Sequence, residues 1–158
     1  LRKLLAVDGV IQWQDGKISL NQGRCWVDVW VFDKPTSQED GRAMEHYKGP
    51  FLGSEEIPAW AEPRREQMRT SFIRFMNRHC DQIQSVGKVT EAIHLLERAI
   101  EADPLTEPLY QQLIPLLLAQ GRQADARRYY QACIKANQRW GNGDLSPETL
   151  RLGQPLTQ

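Results

Sequence analysis

The stretch GKVTEAIHLLERAIEADP, residues 87–104, decides the fold. Its apolar residues recur three and four positions apart, which is the spacing of one face of a helix. Small side chains, Ala92 and Ala99, alternate with larger ones along that face. Because small residues let a neighbouring helix approach closely, the stretch predicts a helix over 89–102 that packs against other helices and is stopped by Pro104.

The pattern returns 34 residues later in the chain. The matched pairs are Gly87 and Gly121, Ala92 and Ala126, Ala99 and Cys133. A period of 34 residues is that of tetratricopeptide repeats, which pair two helices in each unit. The second copy matches the repeat pattern less well than the first. Gln138 occupies the position that Pro104 has in the first copy, and Pro115 is expected to interrupt the helix that precedes the second copy.

Helical periodicity covers most of the chain after residue 58. The predicted helices are 59–86, 89–102, 106–120 and 122–139. A short helix follows, with Ser146 as its N-cap and Pro147 in its first turn. The sequence therefore predicts a mainly α fold, a tetratricopeptide-like helical array.

The N-terminal part has a different pattern, IQWQDGKISL over residues 11–20. Two alternating runs flank Asp15-Gly16, which favours a type I′ turn and a two-stranded β-hairpin. One face of the hairpin is apolar and carries Ile11, Trp13, Ile18 and Leu20. An isolated hairpin is marginal in water. We therefore expect this face either to fold back onto the helices near Trp26 and Trp30 or to pair with another copy.

Composition excludes several classes of function. The chain has 158 residues with 20 basic and 20 acidic side chains, so no net charge marks it as a nucleic-acid or membrane binder. No apolar run approaches the roughly 18 residues of a membrane span. Three distant cysteines argue against a disulfide framework. Neither metal-ligand spacing, nor a phosphate-binding loop, nor a nucleophile elbow is present, so we predict no enzyme activity, metal or cofactor.

Four motifs occur in a fixed order along residues 17–152. They are ISLNQGRCWVDVWVFDK, HYKGPFLGSEE, LLERAIEADPLTEPLYQQLIPLLLAQGRQADARRYYQAC and GDLSPETLRL. Together they resemble the bacterial transcriptional activator domain of SARP-type antibiotic regulatory proteins and large ATP-dependent regulators. The resemblance implies an all-helical, tetratricopeptide-like domain that follows an OmpR-type winged-helix DNA-binding domain. The hairpin would then be the wing, and LRKLL, residues 1–5, the end of the recognition helix.

This resemblance divides the chain into a winged-helix remnant, 1–24, and the helical domain, 25–158. The chain begins with Leu1 rather than methionine, so we expect it to be part of a longer, cytoplasmic transcriptional regulator. Its partners would be DNA, through the adjacent winged helix, and a protein or a second copy, through the helices, with no membrane. The alternative is a free-standing tetratricopeptide adaptor that has no role in DNA binding.

Candidate site residues follow from the hairpin, interpreted as a wing, and from the tetratricopeptide period. Because wing tips and helix ends meet the DNA backbone, the candidate phosphate contacts in the intact protein are Arg2, Lys3, Gln14 and Lys17. An ordinary polar hairpin face explains these residues equally well. The first helix of each tetratricopeptide pair lines the concave surface, and the period places there Arg74, Asn77, Asp81, Gln84, Gln111, Pro115 and Leu118. The arginine-rich run at 62–78 is more typical of a solvated face than of a nucleic-acid site.

Overall fold

The structure, a computed structural model, describes residues 8–32, 45–53, 57–140 and 143–156. These residues form a mainly helical array with an antiparallel hairpin on its N-terminal side. The strands are β1 (Ile11–Gln14) and β2 (Lys17–Leu20). The helices are α1 (Glu62–Ser85), α2 (Val89–Ala102), α3 (Glu107–Ala119), α4 (Gln123–Trp140) and α5 (Pro147–Gly153). Short 3₁₀ helices span Asp28–Phe32, Ala59–Ala61 and Gln154–Leu156.

The hairpin has the predicted register. Gln14 pairs with Lys17, and Ile11 pairs with Leu20. Asp15 and its neighbouring glycine both have positive φ, 51° and 74°, as a type I′ turn requires. This confirms the prediction made from the Asp-Gly pair, because the turn alone fixes which residues face each other.

The 34-residue repeat is visible in the backbone. Gly87 adopts a positive φ of 78° and donates to the Gln84 carbonyl at 2.9 Å, while Lys88 donates to the Ile83 carbonyl at 3.1 Å. These two bonds form a Schellman motif, which satisfies the last carbonyls of α1. The same pair of bonds closes α3 at Gly121, 34 positions later. The two helix pairs therefore end their first helices in the same way, as the sequence period predicts.

The core lies where successive helices of the array meet. Helix α2 packs between α1 and α3, and α3 also packs against α4 and α5. Ala92, Ala99 and Ala126 have no exposed surface, which places the small side chains at the closest helix contacts. Large buried side chains such as Phe72 and Leu113 fill the gaps, each contributing about 1.5–3 kcal/mol of transfer free energy. The core therefore has the small-and-large pattern that the sequence predicts.

Pro115 does not end its helix, so the expectation that it interrupts α3 is wrong. The helix continues to Ala119 with the proline inside it. Proline removes one backbone hydrogen bond and crowds the preceding turn. The flanking side chains, Ile114 and Leu117, are fully buried, and this packing holds the helix together across the proline.

Helix α5 begins and ends at specific contacts. The Ser146 hydroxyl accepts from the backbone N–H of Thr149 at 3.3 Å, which confirms the predicted N-cap. At the other end, Gly153 lies directly on the ring of Tyr130, so that a Cβ atom at this position would overlap the ring. Over the described part of the chain, no helix has the length and apolar content to cross a membrane.

Candidate functional site

Three of the four side chains on the apolar face of the hairpin are exposed, and the fourth, Ile11, is half-buried. Trp13 and Ile18 expose 67% and 61% of their surface, and Leu20 exposes 42%. At the base of the hairpin, Asn21 donates to the Val10 carbonyl at 2.7 Å. Of the two arrangements expected for this face, folding back onto the helices is wrong, and pairing with another copy stays a prediction. The type I′ turn and the four cross-strand pairs form the hairpin from local bonds, so its formation does not require packing against the helices.

The turn of the hairpin carries two of the four candidate DNA contacts. Gln14 and Lys17 are exposed and flank the turn as a cross-strand pair. This places an amide and a positive charge side by side at the tip, a combination suited to phosphate oxygens. Arg2 and Lys3 lie outside the described residues.

The predicted concave surface is partly open. Arg74, Asn77 and Asp81 are exposed along α1, and Gln84 is half-buried. Asn77 Oδ1 accepts a hydrogen bond from Gln112 of α3. The bond joins α1 and α3, the first helices of the two pairs, on one side of the array. The exposed strip on α1 is therefore polar and of mixed charge.

The predicted groove residues on α3 are less accessible to a partner than those on α1. Gln111 Nε2 donates to Ser146 Oγ at 3.0 Å and to Thr149 Oγ1 at 2.9 Å, so it joins α3 to α5. Leu118 packs against the apolar core. The structure thus brings Arg74, Asn77 and Asp81 to one open strip and engages Gln111 and Leu118 in holding the array together.

A closed polar joint surrounds Glu107 at the start of α3. Its Oε2 accepts from the Ser146 backbone N–H at 3.0 Å, from Ser146 Oγ at 2.8 Å and from Thr149 Oγ1 at 2.6 Å. Its Oε1 accepts from Asn137 Nδ2 of α4 at 3.3 Å. Although burial opposes ionisation, the bonds from Thr149 and Ser146 lower the pKa of Glu107. Glu107 therefore ties three helices together as a charged acceptor.

A second carboxylate, Asp103, holds residues 45–53 against the array. Asp103 is fully buried, and its Oδ2 accepts from the Tyr47 hydroxyl at 2.8 Å and from Arg69 Nε at 3.1 Å. The Tyr47 ring stacks on Phe72 with centroids 3.8 Å apart. Burial, and then the Asp103 charge, raises the pKa of Tyr47, so the phenol keeps its proton and donates.

The partnering of Asp103 is incomplete. No described residue donates a hydrogen bond to its Oδ1, which is buried. The only other buried side-chain oxygen without a partner among the described residues is the hydroxyl of Thr106. Buried polar atoms are nearly always hydrogen-bonded, so an orphan carboxylate oxygen requires an explanation.

An open cavity of about 880 Å³ lies beside this cluster, between residues 45–53 and the helices α1 and α2. Arg65 Nε donates to the Phe51 carbonyl at 3.0 Å and so fixes one wall. The apolar lining includes Val29, Pro50, Phe51, Leu52, Met68, Ala102, Pro104 and Leu105. The charged lining consists of Asp28, Lys48, Arg65, Arg69 and Asp103. The cavity is therefore an apolar space with charged groups in its wall.

The described residues contain two buried, unreactive cysteines and no group of side chains that could hold a metal ion. Burial raises the pKa of the Cys80 thiol to about 11 and that of Cys133 to about 12, which leaves both thiols protonated and inert at neutral pH. Among the residues that the structure describes, no three histidine, cysteine or acidic side chains are grouped so that they could hold a metal ion.

Sequence reasoning missed the Asp103 cluster. Its partners, Tyr47 and Arg69, come from positions 56 and 34 residues earlier. A sequence signal did exist, since an aspartate that follows the apolar face of an amphipathic helix suggests a polar partner elsewhere. That signal identifies neither the partner nor the cavity.

Comparison with known proteins gives a family. The model of the family described as bacterial transcriptional activator domain matches residues 34–156, which is more than half of the chain. The match covers all five helices and most of the residues that line the cavity, and it leaves out the hairpin. No curated protein and no solved structure gives a significant match.

Proposed function

As the chain belongs to the bacterial transcriptional activator domain family, we propose that it is the helical interaction part of a bacterial transcriptional regulator. In this role it supports DNA binding and activation by an adjacent winged-helix domain whose wing is the hairpin. The division between the two parts lies near residue 24. The protein works in the cytoplasm and is not an enzyme.

The observation that carries this proposal is the exposed apolar face of the hairpin. Trp13, Ile18 and Leu20 project from a well-formed ribbon without covering any described helix. Large apolar side chains grouped on one face mark a surface that another domain or molecule covers. In a winged helix, that body is the core of the DNA-binding domain. A free-standing adaptor gives no reason for such a ribbon beside the helices.

The ribbon also suggests how the two parts cooperate. Its apolar face would be buried in the winged helix, which leaves Gln14 and Lys17 at the tip for phosphate oxygens. The polar strip of Arg74, Asn77 and Asp81 on α1 then serves a protein partner or a second copy. Phosphate contacts hold the register on DNA, while base contacts from the recognition helix supply specificity.

The test compares two matched double variants in the full-length gene product. Trp13→Ser with Ile18→Ser removes the apolar face, and we expect weaker DNA binding with helical content unchanged by circular dichroism. Trp60→Ser with Val86→Ser removes one tryptophan and one branched aliphatic side chain that are equally exposed on the array. This control should bind DNA as the unmodified protein does.

Two results would contradict the proposal. One is equal DNA binding by both double variants. The other is strong, sequence-dependent DNA protection by residues 1–158 alone, since the proposal assigns base contacts to the recognition helix of the adjacent domain. We expect these residues alone to bind DNA weakly and without sequence preference.

A further inference from the structure

Helix α4 has an exposed face whose only charges are positive. Among residues 123–139, the exposed positions are all cations, glutamines or alanine, namely Gln123, Ala124, Arg127, Arg128, Gln131, Lys135, Gln138 and Arg139. The one carboxylate of the helix, Asp125, is half-buried and lies 2.7 Å from Arg122 Nη2 and 3.2 Å from Arg128 Nη2. The zero net charge of the whole chain therefore comes with an uneven distribution that makes this face basic.

The long polar side chains of this face form a line along the helix. Four of them are spaced four residues apart, and they are Arg127, Gln131, Lys135 and Arg139. On a helix this spacing keeps side chains on one face. The stretch from 127 to 139 is about 18 Å long at 1.5 Å per residue. Because each DNA strand has a phosphate about every 3.4 Å along the duplex, the line is long enough to follow several phosphates.

Two cations in this line are not neutralised within the described part of the chain. Among the described residues, neither Arg127 nor Lys135 forms an ion pair or a side-chain hydrogen bond. Arg128, in contrast, pairs with Asp125 and lies 5.1 Å from the centroid of the Tyr129 ring. Arg127 and Lys135 therefore offer positive charge that the helical array does not use.

The composition of this face favours DNA over a protein as its partner. Protein interfaces have an apolar core surrounded by a polar rim. None of the exposed residues in 123–139 is a large apolar one, because Tyr129, Ala132 and Ile134 pack against the core of the array. Arginine, lysine and glutamine are side chains that contact phosphate oxygens. An acidic protein would find opposite charge on this face but no apolar anchor.

We propose that the basic face of α4 binds the sugar-phosphate backbone of duplex DNA beside the site that the winged helix reads. Arg127 and Lys135 each neutralise a phosphate and release its counterions, and Gln131 between them donates from its amide. Since phosphates carry no base information, the contact adds affinity without sequence preference. This proposal rests on the proposed function, which places the chain on DNA, but it concerns a different surface from the hairpin tip.

The experiment measures binding of residues 1–158 to a mixed-sequence duplex by fluorescence anisotropy at several salt concentrations. Arg127→Gln with Lys135→Gln removes two charges from α4 and, since both residues are exposed, should leave the circular dichroism spectrum unchanged. We expect about tenfold weaker binding at low salt. The plot of log K against log salt should also be shallower by about 2, because each lost phosphate contact removes about 0.9 from the slope.

Two further double variants separate the position of the charges from their number. Lys88→Gln with Arg98→Gln removes the same two residue types from exposed positions at the start and in the middle of α2, and it should bind DNA as the unmodified protein does. Arg127→Lys with Lys135→Arg keeps both charges on α4 and should also bind as the unmodified protein does.

Three outcomes would overturn the proposal. The first is no DNA binding by residues 1–158, or binding that the α4 double variant retains in full. The second is an equal loss in the α4 and α2 variants, which would reduce the effect to net charge. The third is competition by poly-glutamate that is as strong, per charge, as competition by DNA, which would assign the face to an acidic protein. Lys17→Gln keeps the proposed function separate, because a loss of binding in that variant alone would leave the wing contact standing.

Discussion

Asp103 and Glu107 are carboxylates on either side of the turn between α2 and α3, yet they are partnered in opposite ways. Glu107 receives hydrogen bonds at both oxygens from Asn137, Ser146 and Thr149. Asp103 is more deeply buried but receives bonds at only one oxygen. A fully satisfied carboxylate stabilises packing between helices. A half-satisfied one leaves a buried oxygen without a donor, so it stabilises the packing around it less per buried group.

The contrast between the two carboxylates first predicts a large loss of stability when the Glu107 side chain is removed. Glu107→Ala removes the acceptor shared by Ser146, Thr149 and Asn137 and leaves their donors without a partner. We expect a loss of about 2–4 kcal/mol in the free energy of unfolding, because unpaired buried groups each carry a desolvation cost. Urea denaturation measures it. A loss below that of Asp103→Ala would reverse the ranking of the two carboxylates.

The loss of stability should be smaller when Asp103, which is partnered at only one oxygen, is removed. Asp103→Ala removes two hydrogen bonds, but the partly exposed Arg69 can turn towards water. We expect about 1–3 kcal/mol from urea denaturation, most of it from the buried Tyr47 hydroxyl. Tyr47→Phe is the matched control, since it deletes only that hydroxyl and should cost about 1 kcal/mol. Equal losses in both variants would assign the whole effect to the tyrosine.

The smallest effect concerns the pH dependence of stability. The folded state lowers the pKa of Glu107 below its ordinary value of 4.5. Its stabilising contribution is therefore complete above pH 4.5 and is lost as the pH falls through the lower, folded-state pKa. Glu107→Gln, which cannot ionise, should differ most from the unmodified protein near neutral pH, and the difference should shrink on acidification. Urea midpoints at several pH values between 7 and 3 measure this, and a constant difference would contradict it.

The elements that sequence predicts well are those with local causes. The start of α2 at Val89 follows from helical periodicity, and the end of α1 follows from Gly87, whose positive φ allows the closing turn. The hairpin register follows from Asp15-Gly16 in the same way. Each depends on residues within a few positions of one another, which the sequence shows directly.

The features that sequence predicts poorly depend on distant partners. The repeat period predicts Gln111 in a groove, but its amide bonds to Ser146 and Thr149, more than thirty residues away. For the hairpin face, the tendency of apolar groups to be buried predicts either folding back or pairing with another copy, and the structure contradicts the first. The free energy of burial explains why these side chains favour being covered, but it does not identify the surface that covers them. Pro115 is a third case, since tertiary packing overrides its local tendency to break a helix.

The contact between Gly153 and Tyr130 has a consequence for sequence variation. Because the glycine lies directly on the aromatic ring, even a methyl group at position 153 would overlap it. A related chain that carries alanine there must have a smaller residue at the position of Tyr130 or a displaced last helix. The identities at these two positions should therefore vary together, and they distinguish relatives whose final helix is seated as it is in this protein.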